Sequence, residues 1–182
     1  MIEKLLHNLA EKLDSAGVDY MVIGGQAVLV YGRARLTNDI DITLGADIDK
    51  LNVIEKICSD LNLNILPGNP EEFVNSTNVL PAQSKEASVR LDFIFSFSEY
   101  EKQSLERVNK VTVDDYPVKF ASKEDVIVHK MVAGRAVDIE DVKSIIAKNQ
   151  GIDFDYIHER LDEFDRLDEF RGIRQRFDNL TD

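Results

Sequence analysis

Cysteine, long apolar runs and basic residues are all scarce in this chain, and each shortage excludes something. Cys58 is the one cysteine among 182 residues, so no internal disulfide can form. Its neighbours Ile54, Ile57 and Leu61 recur at helical spacing, which reads as the apolar stripe of a helix facing a core. No apolar run approaches the roughly 18 residues needed to span a bilayer. The opening Met1-Ile2-Glu3-Lys4 lacks the apolar core of a signal peptide, so a cytoplasmic chain with no membrane partner is expected. Lys and Arg number 22 against 34 Asp and Glu, a net charge of −12. Such a surface repels phosphodiester backbones on average, which disfavours an extended footprint on DNA or RNA but leaves room for a local basic patch. What the chain does have is length and apolar content, 182 residues that are 43% hydrophobic. That suffices for a sizeable core in one domain, or one domain with a helical appendage.

Periodicity divides the chain into two regions. Leu5, Leu6, Leu9 and Leu13 share one helical face between about Ile2 and Ser15, with a stop at Ala16-Gly17. A β-prone run, Tyr20 to Ile23, ends at Gly24-Gly25 and is followed by a short helical stretch from Gln26 to Tyr31. Asp39 to Leu44 alternates polar and apolar with period two, then a helical pattern runs from about Asp47 to Leu61. Pro67 to Glu86 reads as loops around one or two short elements. Val89 to Phe95 is a strand, Glu99 to Arg107 a helix, and Lys110 to Val113 and Val118 to Ala121 two short strands. From Ser122, a serine cap with an acid three residues on, only helices are expected: one to the next cap, one from Asp138 to about Lys148, then Phe154 to Arg166 and Glu169 to Phe177. Leu161 to Arg166 and Leu167 to Gly172 form a six-residue near-repeat, too few copies for a solenoid. The expected fold class is α/β (α+β), a mixed β-sheet flanked by helices over residues 1–121 and a C-terminal helical region over 122–182.

The chemistry is carried by acids. Asp39 and Asp41 leave the same face of a strand with Cα atoms about 6.6 Å apart. Asp is a poor strand former, and like charges on one face repel unless a cation compensates. Taken alone, the pair could equally be a solvated strand edge. Asp92 shifts the balance, because a carboxylate inside the apolar run from Val89 to Phe95 is costly unless paired or bound to metal. Magnesium prefers oxygen ligands and commonly bridges carboxylates to substrate phosphates. Gly24-Gly25, between a strand and a helix, allows a phosphate to approach the backbone closely at the unpaired amides, although an ordinary turn would look the same.

Taken in order, Gly24-Gly25, then Arg35-Leu36-Thr37-Asn38-Asp39-Ile40-Asp41, then Asp92 resembles the nucleotidyltransferase superfamily that includes DNA polymerase β. The Arg-x-Thr-x-Asp-Ile-Asp style is similar to the branch named for the AbiEii/AbiGii toxins and to related small bacterial enzymes, over about Tyr20 to Lys143. The resemblance implies transfer of a nucleoside monophosphate from ATP or another nucleoside triphosphate to an acceptor hydroxyl, with release of pyrophosphate. It implies that Gly24 and Gly25 contact the triphosphate and that Asp39 and Asp41 bind two magnesium ions. Asp92 would bind the catalytic ion and help to deprotonate the acceptor. Lys130 and Arg135, in the stretch that continues to Asp138 and Asp141, would neutralise phosphate charge, and Arg35 and Thr37 would bind phosphate or orient Asp39. Plainer roles stand beside these: Asp138 as a helix cap, Asp141 in its acidic first turn, Arg135 paired with either, and Arg35 and Thr37 as turn residues. The acceptor could be a small molecule, a tRNA or a protein. The last two would make the chain a toxin with an antitoxin partner, and an inactive nucleotide-binding module is a further alternative. His7, His129 and His158 have no spacing that argues for a role.

Overall fold

The computed structural model describes residues 1–86, 88–96 and 98–181, so the expected C-terminal region is described as far as Thr181. Helix α1, Ile2–Ser15, buries Leu6, Leu9, Ala10 and Leu13 along one stripe, and Gly17 takes the left-handed conformation just beyond its end. Strand β1, Tyr20–Ile23, runs directly into helix α2, Gly24–Tyr31, so the glycine pair forms the helix's first turn rather than a linker before it. Strand β2, Asp39–Leu44, is followed by a 3-10 turn at Ile48–Lys50 and helix α3, Leu51–Asp60. Then come β3, Leu63–Ile65, α4, Pro70–Thr77, β4, Val79–Ser84, and β5, Arg90–Phe95. Helix α5, Glu99–Leu105, starts with a Ser98–Glu101 capping box. Strands β6, Asn109–Val113, and β7, Tyr116–Phe120, are joined by Asp114-Asp115, both at positive φ as a two-residue hairpin turn requires.

The strands form one mixed sheet in the order β3-β4-β5-β2-β1-β7-β6. Strands β2 and β5, and likewise β1 and β7, are parallel neighbours, and the other pairs are antiparallel. One face of β2 and β5 is core: Ile40, Ile42, Leu44, Leu91, Phe93 and Phe95 are all buried. Helix α1 packs on β6, β7 and α3. The region around 67–86 is more ordered than its composition implies. Asn69 accepts the Glu72 amide, Pro70 opens α4, and Asn78 closes it in the left-handed conformation. Only Val74 of α4 is buried, and β4 carries Pro81, which is rare between two neighbouring strands, so neither element shows a clean period.

The C-terminal helices are α6, Lys123–Ala133, α7, Ala136–Lys148, α8, Phe154–Asp165, and α9, Ile173–Thr181, with a 3-10 turn at Asp168–Phe170. Ser122 caps α6 through the Asp125 amide. Helix α7 begins two residues before the expected Asp138, because the Asp138 carboxylate reaches back from the third helical position to the Arg135 amide. The near-repeat is not structural: Leu161 is buried inside α8, whereas Leu167 is exposed before the 3-10 turn.

Residues fall into two compact units, one of Met1–Gln26 with Leu36–Ala121 and one of Ala27–Arg35 with the residues from Ser122 onward. The stretch 27–35 joins the second unit through hydrogen bonds: Asn149 Nδ2 donates to the Tyr31 carbonyl and Lys148 Nζ to the Gly32 carbonyl, both at 2.7 Å. No helix among the described residues is long and apolar enough to cross a membrane.

Cys58 is buried, and burial, with a smaller contribution from the charge of Glu55, pushes its thiol up to about 12. The native protein should therefore resist a thiol reagent at pH 8 and be labelled only as it unfolds. Rapid labelling without denaturant would contradict the packing of α3.

Candidate active site

Strands β2 and β5 pair in parallel with Asp41 beside Asp92 and Asp39 beside Arg90. Partners in register project to the same face of a sheet, so three carboxylates and one guanidinium share a single patch. The alternation that buries Ile40, Ile42, Leu91 and Phe93 on one side is what turns these charged groups to the other. Arg90 engages Asp92 from within the same strand, Nε at 3.1 and 3.2 Å from its two carboxylate oxygens and Nη2 at 3.1 Å from Oδ1. The hydrogen bonds and charge of Asp92, reinforced by Asp39 and Asp41, hold the Arg90 guanidinium above its ordinary value.

The first turn of α2 lies against this patch. Gly24 has φ +63°, and a Cβ there would stand 2.0 Å from Asp41 Oδ2; one on Gly25 would stand 2.4 Å from Thr37 Oγ1. Gln26 Nε2 donates to the Asp39 carbonyl at 3.2 Å. Backbone amides of a helix's first turn have no partner within the helix, so Gly24 and Gly25 bring such donors next to Asp41 without side chains in the way.

The donor chemistry fits a hard divalent cation: oxygen ligands only, presented on one face, beside a glycine that leaves Asp41 room. Among the described residues no set of three or more Asp, Glu, His or Cys is gathered as a finished metal cage, and Asp92 is turned onto Arg90.

The remaining candidates assemble within the second unit, around two carboxylates that are fully buried, Asp138 and Asp141. Lys130 Nζ lies 2.8 Å from Asp138 and 3.2 Å from Asp141. Arg135 binds Asp138 through Nε at 2.6 Å and Nη2 at 3.1 Å. Arg35 grips Asp141 with two hydrogen bonds of 3.1 Å, and Arg33 Nε adds a contact at 3.4 Å. Four cations thus contact two carboxylates in this unit. Burial would raise the Asp138 carboxyl, but hydrogen bonds and charge from Arg135 and Lys130 outweigh it and hold the group below its usual range.

The structure therefore brings Asp39, Asp41, Asp92, Gly24, Gly25 and Thr37 together in the first unit, and Arg35, Lys130, Arg135 and Asp138 together in the second. Asp138 and Arg135 combine the capping and pairing roles. Because α7 starts at Ala136, Asp141 lies beyond the first turn, as a buried hub for Arg33, Arg35 and Lys130. Sequence reasoning missed Arg33 and Arg90. The signal for Arg90 was present, since it precedes Asp92 by two on the same strand face; Arg33 carried none, because it meets Asp141 only across the fold.

A family model described as "Nucleotidyltransferase of unknown function (DUF6036)" matches residues 1–178. No curated protein sequence matches the chain. Among solved structures, ANT(2")-Ia in complex with adenylyl-2"-tobramycin superposes with a TM-score of 0.61 at 14% identity, covering 96% of this chain and 98% of that one. An antigenic nucleotidyltransferase-like protein from Paracoccidioides brasiliensis gives 0.58 at 18% identity, covering 90% and 87%. The lincosamide antibiotic adenylyltransferase LnuA, lincomycin-bound, gives 0.56 at 18% identity, covering 80% and 97%. At these identities the structural likeness concerns the fold.

Two stability outcomes follow from this geometry. Gly17 and Gly24 share a positive φ, but nothing lies within 4 Å of a Cβ at Gly17. Gly17→Ala should cost about 1 kcal/mol from backbone strain alone. Gly24→Ala should cost more in urea denaturation, because it also displaces the Asp41 carboxylate; equal losses would show that Asp41 does not lie against Gly24. Asp138→Asn should cost about 3 kcal/mol at neutral pH, as removing one partner of a buried ion pair does. The folded-state carboxyl is depressed, so its stabilisation is present above about pH 4 and lost as pH falls through the lowered value. Stability of the variant should then decline less on acidification than that of the wild type; parallel decline would remove Asp138 as the cause.

Proposed function

The chain belongs to this nucleotidyltransferase family, and we propose that it moves a nucleoside monophosphate from a nucleoside triphosphate to an acceptor hydroxyl in a magnesium-dependent reaction. The observation that carries this reading is the shared face of Asp39, Asp41 and Asp92 with the first turn of α2 beside it. Asp39 and Asp41 would hold two ions and Asp92 one of them. Magnesium, when bound, would neutralise triphosphate charge and stabilise the attacking and leaving oxygens.

The chain's own groups then have distinct tasks. Gly24 and Gly25 offer amides to phosphate oxygens, and Thr37, packed against Gly25, fixes the entry of β2. Asp92 accepts the proton of the acceptor hydroxyl. The acceptor oxygen forms a bond to the α-phosphorus, the bond to the bridging oxygen breaks, and pyrophosphate leaves, with rate enhancement from positioning and charge stabilisation. The cluster of cations around Asp138 and Asp141 suits an anionic ligand. Arg35, Lys130 and Arg135, oriented by Asp138 and its neighbour Asp141, keep the nucleotide-binding role that the resemblance implies.

For the acceptor we favour a small hydroxyl-bearing molecule. Two of the structural neighbours are described as a lincosamide antibiotic adenylyltransferase and as a complex with adenylyl-2"-tobramycin, and a net charge of −12 opposes a long RNA backbone. A tRNA- or protein-modifying toxin held by an antitoxin uses the same chemistry on a different acceptor.

Calorimetric titration with each nucleoside triphosphate, with and without magnesium, tests the donor site. Binding should require the metal and be lost in Asp39→Asn and Asp41→Asn, with thermal unfolding little changed. Turnover that survives in purified Asp39→Asn would sink the assignment.

A further inference from the structure

We infer that Arg90 is a positioning residue that serves as a built-in counter-cation for Asp92 and competes with the divalent cation for that carboxylate. The inference rests on the reading of Asp39, Asp41 and Asp92 as the metal-holding acids. Strand register gathers the four groups: Arg90 stands beside Asp39, Asp92 stands beside Asp41, and all four side chains leave the same face. Three carboxylates so placed repel one another when no metal is bound. Arg90 answers that repulsion from inside the patch, with its Nε and Nη2 covering both oxygens of Asp92. A guanidinium matches a carboxylate with two parallel hydrogen bonds, leaving few lone pairs directed elsewhere.

The same contact is built to be broken. The Arg90 side chain is 53% exposed and that of Asp92 23%, and ion pairs this open to water are weak. A divalent cation that reaches the patch gains Asp92 once Arg90 swings into solvent, which the long side chain can do without disturbing β5. Arg90 therefore holds Asp92 in place in the metal-free protein and makes metal affinity lower than three bare carboxylates would give. It also makes the third ligand the last to be recruited.

Manganese titration of the full chain, followed by electron paramagnetic resonance of the free ion, tests this without any turnover. Arg90→Gln should bind manganese about three- to tenfold more tightly than the wild type. Arg90→Lys, which keeps the charge but loses the paired hydrogen bonds, should fall between them and guards against misfolding of the glutamine variant. Placed in an Asp92→Asn background, Arg90→Gln should give no further gain, because the competition acts through that carboxylate. An equal gain in that background would reduce Arg90 to a distant charge and overturn the inference, as would unchanged affinity in both Arg90 variants. Manganese binding by the wild type with no Arg90 effect leaves the metal reading standing, whereas no binding by any variant overturns both.

Discussion

The parallel pairing of β2 with β5 sets Asp41 beside Asp92 and Asp39 two residues away on the same face, and the other features of the first unit can be read as answers to that concentration of negative charge. Ile40, Ile42, Leu91 and Phe93 bind the opposite face into the core, so neither strand can slip by one residue without burying its acids. Gly24 removes the side chain that would strike Asp41, Gln26 ties the helix to the start of β2, and Arg90 supplies positive charge. Each of these is a local choice that makes little sense for stability alone. Together they keep a carboxylate cluster open at the first turn of a helix.

The second unit solves the inverse problem. Asp138 and Asp141 are buried, and a buried carboxylate is tolerable only with close partners. Lys130 bridges both, and the arginines at 33, 35 and 135 complete the set. The buried acids fix the cations in place and orient their guanidinium and ammonium groups. Asp138 also closes the first turn of α7, so one side chain couples helix start to cation geometry.

Most strands and helices were legible because period two and helical spacing are written in the apolar residues themselves, as in Asp39–Leu44 and Ile2–Ser15. The one or two short elements expected within 67–86 are α4 and β4, but their type was illegible because α4 buries one residue and β4 contains a proline; β3, with three residues, was not expected. The acidic patch could be anticipated from three aspartates in β-prone runs. Arg90 was overlooked although it precedes Asp92 by two on one strand face, because that spacing alone does not tell an ion pair from two solvated side chains. Arg33 and the depth of Asp141 were hidden for another reason, since Asp141 meets Arg33 and Arg35 across more than a hundred residues of sequence. Grouping 27–35 with the C-terminal helices likewise depends on Lys148 and Asn149, whose hydrogen bonds to carbonyl oxygens leave no periodic trace.

If the shared face of Asp39, Asp41 and Asp92 holds the ions for nucleotidyl transfer, counting those ions is the most direct test. Manganese bound per chain would be measured in the presence of a non-hydrolysable nucleoside triphosphate, for the wild type and for Asp92→Asn. Two ions in the wild type and about one in Asp92→Asn are expected from a two-metal arrangement in which Asp92 serves a single ion. Equal counts in the two proteins, or none in either, would contradict it.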